Sequence, residues 1–372
     1  MRPFSHQRRV FRPAGLAQAV NLRMVHALAP DCDLEASVSA QQEQAAGIVF
    51  AGGMGLGAYH AGACRAIMEA ESLEPAWLAG SSIGAVTAAL FAGNPPERRM
   101  AALRSFWLDR RFEPLSPVSR GEARHLYNWA SALSARLIGV EGHFRPRFPS
   151  NPFGPFRSLY DLAPMRRRLE ALIDFERLNR GPIRVTVATT DVETARPVYF
   201  DTSTEPITID HLLASCGLLP DFAPVEIGGR QLVDGGLSVN APVDPLLRHP
   251  EHWRRLFVLD LFPPDGRRPA SLEAAAARKS DLTFSSQTLR ILEAYEAWGS
   301  RDDDSRERSI FYLSYRPVRE EAGSERPYDL SVQSIETRLA AGYLDMQDAL
   351  RQAGAGGRTG LVTMVRRPAL AA

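Results

Sequence analysis

Gly80-Ser81-Ser82-Ile83-Gly84 sets a hydroxyl between two glycines, directly after the apolar run Ala76-Trp77-Leu78-Ala79 and directly before a helix-like segment at 85–91. Few folds accept that order: a buried strand must end, turn sharply and start a helix within a few residues, the pattern of a nucleophile elbow. Such a turn is crowded, so Gly80 and Gly84, two positions either side of its centre, have to be small. The helix stops at Gly93 with Asn94-Pro95-Pro96 behind it. Its first N–H groups and positive dipole end point at any negative charge that develops on the turn. Ser82 is therefore the candidate nucleophile and the Ile83 N–H a candidate oxyanion donor. Taken alone, the Ser-Ser pair also reads as an ordinary helix N-cap.

A second glycine cluster, Gly52-Gly53-Met54-Gly55-Leu56-Gly57, lies between the apolar run 47–51 and a helix-like segment at 58–71. Strand, glycine loop and helix bring backbone amides up to an anion. A dinucleotide loop is disfavoured, because a ribose-binding carboxylate should end a second strand about twenty residues on. Glu71 and Glu74 fall instead at a helix end and in the turn before Pro75. A phosphate-binding P-loop is disfavoured too: no Gly-Lys-Ser/Thr follows, and Lys279 is the sole lysine of the chain. The cluster is better read as oxyanion-hole donors for Ser82, with Gly52, Gly53 and Met54 as the residues concerned. The third element is Leu232-Val233-Asp234-Gly235-Gly236, which ends a hairpin turning at Gly228-Gly229. An Asp-Gly after a strand is usually a turn. Beside the other two clusters, Asp234 becomes a candidate base, since a partly desolvated carboxylate in reach of Ser82 can take its proton.

The glycine loop, the Gly-x-Ser-x-Gly elbow and the Asp-Gly-Gly, in that order, resemble the patatin-like phospholipase family over about Ile48 to Pro242. The stretch Asn94-Pro95-Pro96-Glu97-Arg98-Arg99 is similar to one that follows the elbow helix in bacterial members. The resemblance implies a three-layer α/β/α sandwich with a mostly parallel central sheet. It also implies hydrolysis of lipid carboxylic esters by a Ser82–Asp234 dyad through an acyl-enzyme, of phospholipase A or lysophospholipase type, with no cofactor and no metal. The family loop usually reads Gly-Gly-Gly-x-Arg/Lys-Gly, which puts Met54 at the third glycine and Leu56 at the basic position. Other readings of the same dyad are a non-phospholipid esterase, a thioesterase or a polyester depolymerase; a catalytically silent lipid-binding scaffold is a further class.

A Ser-His-Asp triad on an α/β-hydrolase fold needs a histidine after the acid. His249 and His252 follow Asp234 but stand in the polar run Arg248-His249-Pro250-Glu251-His252 and read as solvated. His60 reads as packed on its own helix, His211 has no partner spacing, and no His/Cys cluster suggests a metal. A net charge of +1 gives no global field for nucleic acid. Cys32, Cys64 and Cys216 form no disulfide framework, and no apolar run approaches bilayer length. The expected partners are a lipid ester and, peripherally, a membrane surface, in a cytoplasmic setting.

Residues 1–45 carry five arginines before the first acid, Asp31, and lack a core pattern. They read as a flexible arm, followed by one hydrolase domain over 46–355 and a tail over 356–372. Strands are expected at 47–51, 77–79, 183–190, 198–200, 224–227, 230–233, 256–262 and 309–315. Helices are expected at 58–71, 83–92, 96–109, 162–173, 208–215, 271–300 and 331–353. The last is amphipathic through Ile335, Leu339, Tyr343, Met346 and Leu350. Residues 112–160 read as an insertion or lid whose arginines, Phe148, Phe153 and Phe156 either wall an acyl pocket or rest on an anionic lipid surface, or as an irregular segment packed over the core.

Overall fold

Strand residues here alternate between two buried faces, which is what a sheet covered by helices on both sides requires. Ile48 and Phe50 point into one apolar cluster with Phe257, Leu259, Phe311 and Leu313; Val49, Ala51, Leu256, Val258, Ile310 and Tyr312 point into another. The computed structural model describes residues 45–70, 73–109, 121–148, 158–299, 308–318, 321, 323–355 and 361–365. All belong to one compact unit, Ala40–Ala372. The expected arm (1–45), save Ala45, lies outside the described residues. So do Phe153 and Phe156, and all of the tail apart from 361–365.

The strands are β1 (Ala45–Phe50), β2 (Glu74–Ser81), β3 (Arg145–Pro146), β4 (Tyr160–Asp161), β5 (Arg184–Asp191), β6 (Pro197–Asp201), β7 (Val225–Ile227), β8 (Arg230–Asp234), β9 (Arg255–Asp260), β10 (Ser309–Ser314) and β11 (Val362–Val365). The helices are α1 (Ala58–Glu69), α2 (Ile83–Ala92), α3 (Pro96–Leu108), α4 (Gly121–Ile138), α5 (Ala163–Leu172), α6 (Phe175–Arg180), α7 (Ile209–Ser215), α8 (Asp244–Arg248), α9 (Leu272–Gly299) and α10 (Val332–Gly354). Strands β11, β10, β9, β1, β2 and β5 run parallel in that spatial order, and β6, β8 and β7 complete a nine-stranded sheet through antiparallel pairs, β6 and β8 on β5 and β7 on β8. The chain is thus an α/β protein with a mostly parallel central sheet flanked by helices.

Two parts of the sequence reading change. The expected insertion contains an 18-residue helix, α4, and the expected tail contributes β11, parallel to β10. α4 escapes a periodicity reading because the face it buries, Tyr127, Asn128, Ala132 and Ala135, is mostly small or polar, while Leu126 and Leu137 are each 65% exposed.

One detail of register decides where the site forms. Thr189 and Thr190 of β5 pair with β6 on one edge and with β8 on the other, and β2 runs along that second edge up to Ala188. β2 and β8 therefore share one edge of β5 and approach end to end. Ser81 lies opposite Ala188, and Asp234 lies opposite Thr189. The residue after β2 and the last residue of β8 are forced together where the parallel strands end, the usual place for a site in an α/β sheet.

Candidate active site

Each elbow glycine is demanded by contact. A Cβ on Gly80 would lie 2.3 Å from the Gly84 carbonyl carbon, and one on Gly84 would lie 2.1 Å from the Phe50 carbonyl oxygen. Between them Ser82 has φ 54° and ψ −126°, a conformation that L-residues adopt only when the surroundings impose it. The imposing contacts are nonlocal: the Ser82 N–H donates to Ser215 Oγ at 2.8 Å, and Ser215 Oγ donates to the Ala188 carbonyl at 2.6 Å. Strand β5 thus holds the elbow through the last residue of α7. Ser82 does not cap α2 with its side chain, so the N-cap alternative does not describe its hydroxyl.

Asp234 is buried, and its Oδ1 accepts from the Gly236 N–H at 2.7 Å. Burial pushes its carboxyl up to about 6, although the Ser82 hydroxyl and the Gly236 N–H both act to bring it down. A carboxylate in that state binds a proton far more readily than a solvated one and still ionises at neutral pH. Cys216 is pinned beside the same pair, its thiol pushed up by burial and by the Asp234 charge.

The glycine loop turns through Gly53 at φ 156° and Met54 at φ 51° into a short 3-10 turn, Met54–Gly57. Among the described residues, the N–H groups of Gly53, Met54 and Ile83 have no hydrogen-bond partner. Gly52 differs from the sequence reading: its N–H donates to the Asn240 carbonyl at 3.0 Å and so is not a free oxyanion donor. Asn240 also donates from Nδ2 to the Gly52 carbonyl at 3.3 Å, so one residue holds that peptide on both sides. Ser215 and Asn240 went unread in the sequence. The only hint of Asn240 was its place four residues after Gly236, inside the stretch that resembles the family.

Two clefts open on this centre and share Met54, Ser82, Leu218 and Asp234. One is walled by Ile83, Trp107, Phe144, Leu162, Phe222 and Leu330 and is mostly apolar. The other adds Gly53, Asn240, Ser280, Phe284, Ser324 and Tyr328 and is more polar. In the 112–160 region Phe144 packs on Tyr160 and Phe222 in the cleft wall, and Phe148 is 85% exposed. Arg145 and Arg147, beside it, face Asp161.

The four histidines weighed in the sequence, His60, His211, His249 and His252, are engaged elsewhere. His60 is fully buried, with Nε2 on the Leu259 carbonyl, and burial lowers its imidazole to about 3. His211 closes a capping box with Thr208, and His249 and His252 are exposed beside Glu251. His143 is in the wall of the apolar cleft, its Nδ1 against the Glu141 carbonyl and its ring on Phe106. Among the described residues no group of three His, Cys, Asp or Glu could hold a metal ion, and no helix is long and apolar enough to cross a membrane.

Residues 48–247, just over half of the chain, match the family model for patatin-like phospholipase. The chain belongs to the patatin-like phospholipase family, a family of ester-bond hydrolases. Among curated proteins it is similar to a putative patatin-like phospholipase domain-containing protein, M110.7, of Caenorhabditis elegans. That match is 42% identical over 66 residues, 18% of this chain and 6% of that protein. Among solved structures, VipD from Legionella pneumophila aligns at 13% identity with a TM-score of 0.35, over 80% of this chain and 67% of that one.

Proposed function

We propose that the protein is a serine acyl hydrolase that cleaves lipid carboxylic esters with a Ser82–Asp234 dyad. The observation that carries this reading is the end-to-end meeting of β2 and β8 on β5, which sets a strained, buried serine beside a carboxyl whose proton affinity burial has raised. Asp234 accepts the Ser82 proton as Oγ bonds to the ester carbonyl carbon. The carbonyl oxygen becomes an oxyanion, held by the Gly53, Met54 and Ile83 N–H groups. Collapse breaks the bond to the alcohol, which leaves with the proton from Asp234. Water then repeats the sequence on the acyl-enzyme: Asp234 takes its proton, the oxyanion re-forms, and Ser82 departs with that proton. Losing one oxyanion donor typically raises the barrier by about 2.7 to 4 kcal/mol.

The apolar cleft fits an acyl chain and the more polar cleft fits the alcohol or head-group side, which supports a lipid ester over a small polar one. Exposed Phe148 supports contact with a membrane surface. Hydrolysis of a panel of phospholipids, lysophospholipids and simple esters by wild type, Ser82→Ala and Asp234→Asn tests the reading, together with fluorophosphonate labelling. We expect wild type alone to turn over substrate and label at Ser82. An active alanine variant overturns the mechanism, and an active asparagine variant moves the base elsewhere.

A further inference from the structure

Arg338 on α10 is fully buried, yet its guanidinium is spread across carbonyls from two separate walls of the site. Nη1 donates to the Gly55 carbonyl at 3.0 Å and to the Asp329 carbonyl at 2.7 Å; Nη2 donates to the Arg326 carbonyl at 3.1 Å. Gly55 belongs to the turn that begins at Met54, and residues 326–330 carry Tyr328 and Leu330 of the two cleft walls. Burial by itself pulls a guanidinium down, but Glu321, Tyr315 and Asp329 more than compensate, so the group stays charged. Glu321 Oε2 stands 3.5 Å from Nε.

The placement is rigid because α10 and α1 meet backbone to backbone. A Cβ on Gly342 would lie 1.9 Å from the Tyr59 carbonyl oxygen, and one on Gly62 would lie 1.9 Å from that of Leu339. Arg338 is one helical turn before Gly342, and Gly55 is four residues before Tyr59, so this crossing delivers the guanidinium to the glycine loop. The loop needs such an anchor. Met54 sits at φ 51° without a glycine's freedom, and the Gly55 carbonyl that Arg338 reaches also accepts from the Ala58 N–H that closes the turn.

We propose that Arg338 is a positioning residue for acyl transfer, fixing the carbonyl side of the glycine loop so that the Gly53 and Met54 amides stay turned toward Ser82. The inference rests on the serine hydrolase reading above and adds a residue more than 280 positions away from the loop in sequence. Its effect belongs to the oxyanion, so it should appear in kcat and not in KM.

The test compares wild type, Arg338→Met, Arg338→Lys and Ile310→Ala, the last a buried control on β10. The readouts are melting temperature, kcat and KM on p-nitrophenyl butyrate, and the rate of fluorophosphonate labelling. Expected for Arg338→Met is a tenfold or greater fall in kcat and in labelling rate, with KM within threefold of wild type. Arg338→Lys, which keeps a charge beside Glu321 but cannot span three carbonyls, should recover part of that loss. Ile310→Ala should lower the melting temperature while leaving kcat within twofold. Folded Arg338 variants with kcat within twofold of wild type overturn the proposal, as does an equal kcat loss in Ile310→Ala. If the methionine variant does not fold, the lysine variant decides. Hydrogen exchange then adds a second reading: faster exchange confined to residues 52–57 supports the proposal, and a uniform rise across the chain sinks it. Wild type that fails to label at Ser82 refutes the hydrolase reading itself, a different outcome from labelled wild type with unaffected Arg338 variants.

Discussion

Replacing Asp234 with asparagine should make the protein inactive and, above neutral pH, more stable than wild type. The carboxyl is buried at the C-terminal end of β8, and its folded-state value of about 6 stands against 3.8 for the free group. Such a difference corresponds to about 3 kcal/mol of differential stability between the two protonation states. The sign follows from which form the fold disfavours. Below 3.8 the carboxyl is protonated in both folded and unfolded chains, and wild type and variant differ only by the amide substitution. Between 3.8 and about 6 the unfolded chain ionises while the folded one holds its proton, so wild type loses about 1.4 kcal/mol per pH unit relative to the variant. Above about 6 both are ionised and the gap is constant, at about 3 kcal/mol in favour of asparagine. Asp260, also raised to about 6 by burial, is common to both proteins and cancels in the difference. Denaturant unfolding of the two proteins at pH 4 to 9, with stability plotted as a difference, reads the effect. A difference that does not change with pH, or a variant less stable than wild type at pH 8, refutes the claim that Asp234 is held ionised at a cost to the fold.

Four other outcomes follow from the same geometry. The pH profile of kcat/KM should fall on the acid side of about 6 with the slope of one proton, because only the ionised Asp234 accepts from Ser82; a flat profile from pH 5 to 8 contradicts the assignment. Ser215→Ala strips the Ser82 N–H of its buried acceptor and should destabilise the fold by about 1 to 3 kcal/mol while lowering kcat, read by chemical unfolding and by ester turnover. Gly84→Ala drives a Cβ into the Phe50 carbonyl and should cost about 3 kcal/mol or more, with loss of phosphonate labelling in whatever protein folds. Phe148→Ser removes a side chain that is 85% exposed and should weaken sedimentation with anionic liposomes while leaving p-nitrophenyl butyrate turnover within twofold; equal loss in both assays removes the membrane role.

Much of the fold was legible because it is written in local patterns. The helix from Ile83 to Ala92 was readable to the residue, since the elbow starts it and Gly93 with two prolines stops it. The β-branched run of β5 fixed that strand to within a residue at either end. What the sequence withheld is nonlocal. Nothing in Leu232-Val233-Asp234 announces that β8 will meet β2 along one edge of β5; the glycine motifs only made that meeting the simplest way to bring an acid to Ser82. Ser215 and Asn240 were missed because a lone hydroxyl at a helix end and a lone amide in a loop look the same whether they face solvent or a peptide 133 or 188 residues away. Four residues at 362–365 are too short a run to announce a strand, and β11 exists through its pairing with β10.

The two halves of the centre are held by different means. Ser82 follows the Ser81–Ala188 rung of β5 and Asp234 sits on the next, opposite Thr189, so a short piece of sheet sets their spacing. The oxyanion amides lie on no strand. On the proposed mechanism, those of Gly53 and Met54 depend on Asn240, which holds Gly52, and on Arg338, which reaches Gly55 from the last helix. The departure noted in the loop bears on the second of these: Leu56, where the family pattern has a basic residue, is fully buried in the core, and the cation at the turn comes from α10 instead. On the proposed mechanism, the last third of the chain acts on the charge that develops at the carbonyl oxygen and leaves proton transfer to β5. Damage there should lower the rate while leaving the acid limb near 6 in place. Damage to β5 should move both.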